Sequence, residues 1–265
     1  MIEGYRLEEL VGAGATGEVY AARTPEGRRV AAKVLRPERT QDPVARARFL
    51  REAKVARSIE SRHLVPILDV VETDDTICLV MPFYERSLGR AAPLELGQVV
   101  ALAGQVARGL DALHAASILH RDVKPSNILV DTNGTAALSD FGLARMVDAT
   151  RVTDTGVLLG TPHYLAPELV AGGEATPHSD IYAFGCVLYE LVTGRPPFAD
   201  ATRPAEVGFA HLVEDVPDAR EHHPGLPDDV ALALASALAK EPGERPTSAT
   251  ALARMLHLAH RPALA

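Results

Sequence analysis

A glycine-rich segment near the start of the chain has the composition of a phosphate-binding loop. Residues 12–17 read GAGATG and fit the pattern G-x-G-x-x-G. Because glycine has no Cβ atom, main-chain amides in such a loop can approach phosphate oxygens closely. The pattern alone also fits a dinucleotide-binding turn or an ordinary flexible β-turn. A dinucleotide fold requires a helix next, whereas residues 18–21 (EVYA) alternate like a strand, so we predict a hairpin that lies over a nucleotide.

A second group of polar residues lies between two short apolar runs. Residues 117–130 read SILHRDVKPSNILV, so Asp122, Lys124 and Asn127 are flanked by residues that favour burial. Charges are costly to bury unless they are paired or hydrogen-bonded. The segment is therefore a candidate functional loop.

Lysine is rare in this chain, which makes its positions informative. Four lysines occur beside 23 arginines, and two of them are Lys33, in a predicted strand, and Lys124, in the polar segment. A lysine is a compact point charge and an arginine is a wide planar fork, so they are not interchangeable where space is tight. Lys33 and Lys124 are therefore candidate site residues.

The elements that must position these residues fall into two regions. Residues 5–35, 65–71 and 77–81 have the pattern of strands, and residues 43–60 place apolar side chains at helical spacing. The first 81 residues are therefore predicted to be mostly β with one prominent helix.

The pattern changes after Pro82. Residues 98–114 carry one apolar helical face, and residues 128–138 are predicted to form a hairpin around the turn dipeptide Asn133-Gly134. From residue 168 onward the chain is rich in Ala, Leu and Val and mainly helical. We therefore expect a small β lobe joined to a larger helical lobe near residues 82–85.

Composition limits the classes of function. The formal charge of −8 argues against a nucleic-acid partner, and two distant cysteines make no disulfide framework. The apolar run at 181–192 contains Glu190 and is too short to span a bilayer, so it predicts a buried helix. The N-terminus lacks the apolar region of a signal peptide. We expect a cytoplasmic chain without membrane contact of its own, whether alone or as the cytoplasmic part of a longer membrane-anchored protein.

Together these motifs resemble those of eukaryotic-type (Hanks-type) serine/threonine protein kinases, most of all the bacterial receptor-type kinases. The matching motifs are the glycine loop, Val30-Ala31-Ala32-Lys33, His120-Arg121-Asp122 with Asn127, Asp140-Phe141-Gly142 and Ala166-Pro167-Glu168. The resemblance implies an α+β, bilobal protein-kinase fold in one catalytic domain over residues 1–265. Its N-lobe would cover residues 1–81, its hinge 82–85 and its C-lobe 86–265.

The resemblance implies a catalytic role for five residues. Asp122 would accept the proton of the substrate hydroxyl, and Lys124 would neutralise the γ-phosphate during transfer. Lys33, held by Glu52, would position the α- and β-phosphates. Thr161 would hydrogen-bond to Asp122 and Lys124.

The resemblance also implies ATP and Mg²⁺, with Mn²⁺ as an alternative metal. Asn127 and Asp140 would bind the metal through oxygen ligands suited to a hard cation. The hinge would contact adenine through the Pro82 carbonyl and the Tyr84 amide, since proline has no N–H. The implied ATP-binding residues are Val11, Gly12, Ala13, Gly14, Ala15, Thr16, Gly17, Val19, Ala31, Lys33, Met81, Pro82, Tyr84 and Leu129.

Four further residues have implied structural or regulatory roles. Glu168 and Arg245 would form an ion pair, and Asp180 would accept hydrogen bonds from the main chain of the catalytic loop. Arg121 would bind a phosphate group on the activation loop, which would be residues 140–168, through charge-assisted contacts.

The implied activity is transfer of the γ-phosphate of ATP to serine or threonine hydroxyls of protein substrates. The sequence Asp-Val-Lys-Pro at 122–125 and the segment GTPHY at 160–164 favour these acceptors, and dual specificity stays open. Thr153 and Thr155 are hypothesised autophosphorylation sites, with a homodimer for phosphorylation in trans.

Two other classes of function share parts of this pattern. A pseudokinase, acting as a binding module, would be expected to lack Lys33, Asp122 or Asp140, and all three are present. A small-molecule phosphotransferase of similar fold would typically lack Arg121 and the long segment from residue 140 to residue 168.

Overall fold

A five-stranded antiparallel sheet occupies the N-terminal part of the computed structural model, which describes residues 2–14, 17–36, 42–73, 76–90, 94–141 and 162–259. Its strand order is β1-β2-β3-β5-β4. The strands are β1 (Arg6–Ala13), β2 (Gly17–Arg23), β3 (Arg29–Leu35), β4 (Asp69–Glu72) and β5 (Ile77–Pro82).

The predicted strand over residues 65–71 is wrong in its first half, because β4 begins only at Asp69. Pro66 has no N–H to give to a ladder, and the Val65 amide donates to the Leu138 carbonyl at 2.8 Å in the other half of the molecule. These residues therefore connect the two regions.

Helix α1 (Pro43–Arg57) is the one helix described beside this sheet. It begins where the Asp42 side chain accepts a hydrogen bond from the Val44 amide at 3.0 Å, with Pro43 in the first turn. Phe49 and Ala53 are buried against the core, as the helical spacing predicted.

The rest of the chain is mainly helical and carries a small second sheet. Its strands β6 (Arg86–Ser87), β7 (Ile128–Val130) and β8 (Ala136–Leu138) follow that order in the sheet. The predicted hairpin is β7–β8, and it turns at Gly134, whose φ of 79° favours glycine. The helices are α2 (Leu96–Ala115), α3 (Pro167–Val170), α4 (Pro177–Thr193), α5 (Pro204–Val213), α6 (Asp228–Ala237) and α7 (Ala249–Ala259).

Helix α4 forms the centre of the helical region. Its residues from 179 to 192 are buried, except the half-buried Glu190. A Cβ atom at Gly185 would lie 2.8 Å from the Cβ of Ala237 on α6, so glycine allows the two helices to approach closely. The predicted buried helix at 181–192 is confirmed. Among the described residues, no helix is long and apolar enough to cross a membrane.

Candidate active site

The polar loop between α2 and β7 arranges two of its side chains around the carboxylate of a third. The Lys124 Nζ lies 2.7 Å from Asp122 Oδ2. The Asn127 side-chain amide donates to the same oxygen at 3.0 Å and to the Asp122 carbonyl at 2.8 Å. The Asp122 side chain remains 40% exposed, so its carboxylate is held by neighbours yet faces solvent.

Asp180, at the start of α4, holds the main chain of this loop. Its carboxylate is 2% exposed and accepts hydrogen bonds from the His120 amide at 2.9 Å and the Arg121 amide at 2.8 Å. His114 Nε2 lies 2.8 Å from the same oxygen that His120 bonds. Arg121 has a left-handed φ of 69°, a conformation that costs a non-glycine residue energy and persists only when its surroundings fix it.

The β7–β8 hairpin brings Asp140 to the same loop. Ile128 pairs with Leu138, so Asn127 and Ser139 lie opposite each other at one end of the hairpin. The Ser139 amide donates to the Asn127 carbonyl at 2.8 Å. Asp140 follows with a left-handed φ of 64°. Asn127 and Asp140, 13 positions apart in sequence, therefore lie at the same end of the β7–β8 hairpin.

Lys33 links the first sheet to this edge. It is 3% exposed, and its Nζ lies 2.7 Å from Asp140 Oδ1. The implied partner Glu52 belongs to α1, but its side chain lies outside the described residues. Asp140 is thus the partner of Lys33 that the structure describes, and the pairing with Glu52 stays a prediction.

The glycine hairpin lies between β1 and β2. A Cβ at Gly17 would lie 2.2 Å from the Val34 carbonyl oxygen, so this position requires glycine for the approach of β2 to β3. A Cβ at Gly12 or Gly14 would have no described protein atom within 4 Å. These two glycines thus border open space, which suits a loop that approaches a ligand. Ala15 and Thr16 lie outside the described residues.

Cross-strand pairing gathers the residues predicted to contact adenine. Val19 pairs with Lys33, and Ala31 pairs with Met81. Met81 is buried in a small cluster against which Leu129 and Tyr84 pack. The first sheet and the β7–β8 hairpin therefore meet around Met81 and Leu129.

The structure also describes three other residues of the predicted pocket. Pro82 ends β5 and pairs with Val30. Ala13 ends β1 beside Glu18 of β2. Val11, in β1, is 52% exposed.

The rings of His120 and Phe141 are buried next to each other, close to Asp122 and Asp140 in the chain. The His120 ring is completely buried and meets Phe141 edge-on, with 6.5 Å between ring centroids. Burial lowers the pKa of His120, against the opposing effect of Asp180, Asp122 and Asp140. Phe141 belongs to the core cluster that also holds Phe49 and Ala53 of α1.

Glu168 and Arg245 form a bidentate ion pair deep in the helical region. Arg245 Nη1 and Nη2 donate to the two Glu168 carboxylate oxygens at 2.9 and 2.8 Å. The remaining guanidinium N–H groups donate to the carbonyls of Ala239, His178 and Lys240 at 2.8, 3.0 and 2.9 Å. All five donors of the guanidinium are therefore used, and the pKa of Glu168 is lowered by Arg245 and Ser179 despite its burial.

Two contacts near the site escaped the sequence analysis. His114 bonds Asp180, and its position on the apolar face of α2 gave no signal for this. The Tyr164 hydroxyl donates to Glu190 Oε2 at 2.5 Å, and burial raises the pKa of Glu190. The isolated charge of Glu190 within an apolar run was the signal that could have revealed it.

The donor set fits a magnesium ion that shares its ligands with a nucleotide. The Asn127 amide nitrogen is committed to Asp122, which leaves its oxygen for a cation, and Asp140 adds a carboxylate. No group of three or more His, Cys, Asp or Glu side chains with metal-binding geometry occurs in the described ranges. Mg²⁺ bound through one or two protein ligands and substrate phosphates does not need such a group.

Three predicted residues of the segment after Asp140 cannot be placed. Thr153, Thr155 and Thr161 lie outside the described residues. Their implied roles therefore stay predictions.

Comparison with known proteins agrees with this geometry. The family described as protein kinase domain matches residues 5–256. Serine/threonine-protein kinase PknH of Mycobacterium tuberculosis is 39% identical over 263 residues, 97% of this chain and 42% of the relative. PknD of the same organism is 40% identical over 261 residues, 96% of this chain and 39% of the relative. The chain thus spans less than half the length of these relatives.

A solved structure confirms the fold. The crystal structure of the M. tuberculosis PknI kinase domain has 28% sequence identity and a TM-score of 0.74, with 97% of each chain covered. The predicted α+β kinase fold is therefore confirmed, with a β-rich N-terminal region and a helical C-terminal region. From its motifs, its fold and its relatives, the chain belongs to the protein kinase domain family and is a kinase domain of the bacterial serine/threonine type.

Proposed function

We propose that this domain transfers the γ-phosphate of ATP to serine or threonine hydroxyls of proteins. The observation that carries the proposal is the convergence of Asp122, Lys124, Asn127 and the Lys33–Asp140 pair at one cleft. Asn127 and Asp140 would hold Mg²⁺, which supplies charge neutralisation at the phosphates.

The geometry suggests how Asp122 acts. Its Oδ2 is engaged by Lys124 and Asn127, which leaves Oδ1 to accept the proton of the substrate hydroxyl. The hydroxyl oxygen then forms a bond to the γ-phosphorus as the bond from that phosphorus to the β,γ-bridging oxygen breaks, and ADP leaves. Lys124, beside the carboxylate, neutralises charge on the transferred group. The protein's contribution is positioning and electrostatic stabilisation.

The test is phosphate transfer from labelled ATP to a basic protein substrate, compared with a panel of sugars and antibiotics. We expect transfer to protein serine and threonine, and Asp122→Asn should lower kcat by at least ~100-fold because the base is lost. Nucleotide binding should survive in that variant. Asp200→Asn, which changes an exposed carboxylate elsewhere in the helical region, is the matched control. Transfer to small molecules alone would contradict the proposal.

We further propose activation by autophosphorylation at Thr153 and Thr155, in trans between two copies in the cytoplasm. The support is the threonine-rich sequence and the presence of Arg121 before Asp122. Phosphopeptide mapping after incubation with ATP and Mg²⁺ tests this. Modification of neither threonine would contradict it.

A further inference from the structure

A continuous stack of rings and cations crosses the helical region beside residues 162–164. In order it comprises Lys240, Phe198, His211, Tyr182 and Arg245, which we call the α5 stack. Lys240 Nζ lies 5.0 Å from the Phe198 ring centre, and Arg245 Cζ lies 4.8 Å from that of Tyr182. The rings meet edge-on, with centroids 4.9 Å apart for Phe198–His211 and 5.7 Å apart for Tyr182–His211.

Lys240 lies at one end of the stack and bonds the last turn of α5. Its Nζ donates to the carbonyls of Ala210 and His211 at 3.2 and 2.9 Å. A cation at a helix C-terminus interacts favourably with the carbonyls of the last turn. The Ala210 carbonyl also accepts the Glu214 amide at 3.0 Å. Phe198 has a left-handed φ of 57° and is 8% exposed. A bulky residue keeps that conformation only when its surroundings fix it, and Lys240 and His211 contact its ring.

His211 joins the stack to the segment that follows residue 161. It is fully buried, and its Nδ1 lies 2.8 Å from the Tyr182 hydroxyl. Its Nε2 has no hydrogen-bond partner within the described ranges, and α5, which carries His211, packs against residues 162–164. Burial and the charge of Lys240 lower the pKa of His211 to about 3, so the ring is neutral.

We propose that Lys240 is a positioning residue for the protein substrate. It fixes the end of α5 and the Phe198 ring, and through them it holds His211 against the segment of His163. This inference rests on the proposed function. Residues 162–164 belong to the segment whose sequence favours serine and threonine acceptors, and we take them to contact the acceptor peptide. Loss of Lys240 should therefore weaken acceptor binding.

The nucleotide side of the cleft does not depend on these contacts. Lys33, Asp140 and Asn127 are held by the hairpin and by the first sheet. The kinetic signature of Lys240 is therefore a rise in KM for the protein acceptor, while KM for ATP and the rate of ATP hydrolysis without acceptor stay unchanged.

The experiment compares Lys240→Met, which keeps length and loses charge, with Lys240→Arg, which keeps charge and donors. For Lys240→Met we expect the acceptor KM to rise roughly tenfold, the equivalent of one charge-assisted hydrogen bond. Lys240→Arg should recover most of this loss. Phe198→Leu, which removes the ring beneath the ammonium, should raise the same KM and serves as the second variant if Lys240→Met does not fold.

Asp111→Ala is the matched control. Asp111 accepts hydrogen bonds from the Ala249 and Thr250 amides, both at 3.0 Å, at the start of α7. Lys240→Met and Asp111→Ala each remove a charged group that bonds two main-chain groups at a helix end. Asp111→Ala should lower the melting temperature and leave the acceptor KM unchanged.

The outcomes separate the inference from the proposed function. An unchanged acceptor KM in Lys240→Met, or an equal rise in Asp111→Ala, overturns the role of Lys240 and leaves the proposed function intact. A wild-type domain that transfers no phosphate to any protein overturns both.

Discussion

The glycine hairpin and the polar loop between α2 and β7, which holds the predicted catalytic residues, are held in different ways. The hairpin turn is closed by the Gly14 amide, which donates to the Gly17 carbonyl at 2.9 Å, and by exposed Arg36, whose Nε donates to the Gly14 carbonyl at 3.2 Å. The polar loop is instead held by the buried carboxylate of Asp180, which accepts the His120 and Arg121 amides.

This difference separates two tasks. A loop that covers a ligand must bring its main chain close to that ligand and can carry few side chains. Its support therefore comes from bonds within the hairpin and from the exposed Arg36. A loop that presents a catalytic carboxylate needs fixed geometry, since small displacements cost rate. Substitutions at buried supports should therefore affect chemistry and stability, and those in the hairpin should affect nucleotide affinity.

The largest effect is expected at Asp180. Asp180→Asn replaces one carboxylate oxygen with an NH₂ group that faces a main-chain N–H, so the catalytic loop should shift. We expect kcat to fall by ~10²–10⁴, the contribution of a positioned base, with nucleotide affinity largely kept. Steady-state kinetics with nucleotide-binding calorimetry test this, with Asp111→Asn as control. An unchanged kcat would contradict the claim that the polar loop depends on buried support and the glycine hairpin does not.

The next largest effect concerns the stability of the buried ion pair. Arg245→Lys keeps the charge but loses the planar fork that bonds Glu168 and three carbonyls. We expect the free energy of unfolding to fall by about 3 kcal/mol, as when a buried pair is broken. Urea denaturation measures it. Arg195→Lys, at the exposed pair with Asp200, should change stability by less than about 1 kcal/mol. Equal effects at both sites would contradict the role assigned to burial.

Acid should weaken the helical region through His211. Its pKa is lowered to about 3 in the folded chain, from the ordinary 6.5 that the unfolded chain retains. Below pH 6.5 the unfolded state therefore binds more protons, and stability is lost as pH falls towards 3. Between pH 7 and 5 the loss should reach ~2 kcal/mol from this group. Urea denaturation at both pH values, with His211→Gln for comparison, tests it: an equal loss in the variant would contradict it.

The smallest change in stability is expected at Gly14, in comparison with Gly17 of the same hairpin. Gly17→Ala places a Cβ against the Val34 carbonyl and should lower the free energy of unfolding by about 1–3 kcal/mol. Gly14→Ala meets no described protein atom, so stability should stay unchanged while KM for ATP rises. Denaturation and ATP titration measure the two. A stability loss at Gly14 as large as at Gly17 would show that the hairpin is not locally supported.

Most of the fold could be predicted from the sequence, because each motif depends on neighbours in the chain. The structure brings Lys33 to Asp140, and Lys124 and Asn127 to Asp122, while the roles of these residues stay predictions. The β7–β8 hairpin followed from Asn133-Gly134, and the buried α4 followed from its apolar run. The start of β4 was mispredicted because Pro66 and the bond between Val65 and Leu138 remove those residues from the ladder.

The contacts that the sequence could not predict join distant segments. Lys240 reaches α5 some 30 positions earlier, and His114 reaches Asp180 across 66 positions. Neither lies in a short motif, and on its own each resembles an ordinary polar residue of a helix or its flank. Such contacts depend on how helices pack, which local patterns do not specify.

The close approach of α4 and α6 at Gly185 has a mechanical consequence. Any larger side chain there would push the central helix away from its neighbour, and that helix carries Asp180 five residues earlier. Because α4 is one continuous helix, this displacement would also move Asp180 and the polar loop that carries the Asp122 carboxylate. The absence of a side chain at Gly185, on the side of α4 that faces α6, therefore helps to keep Asp180 and the loop that it holds in position.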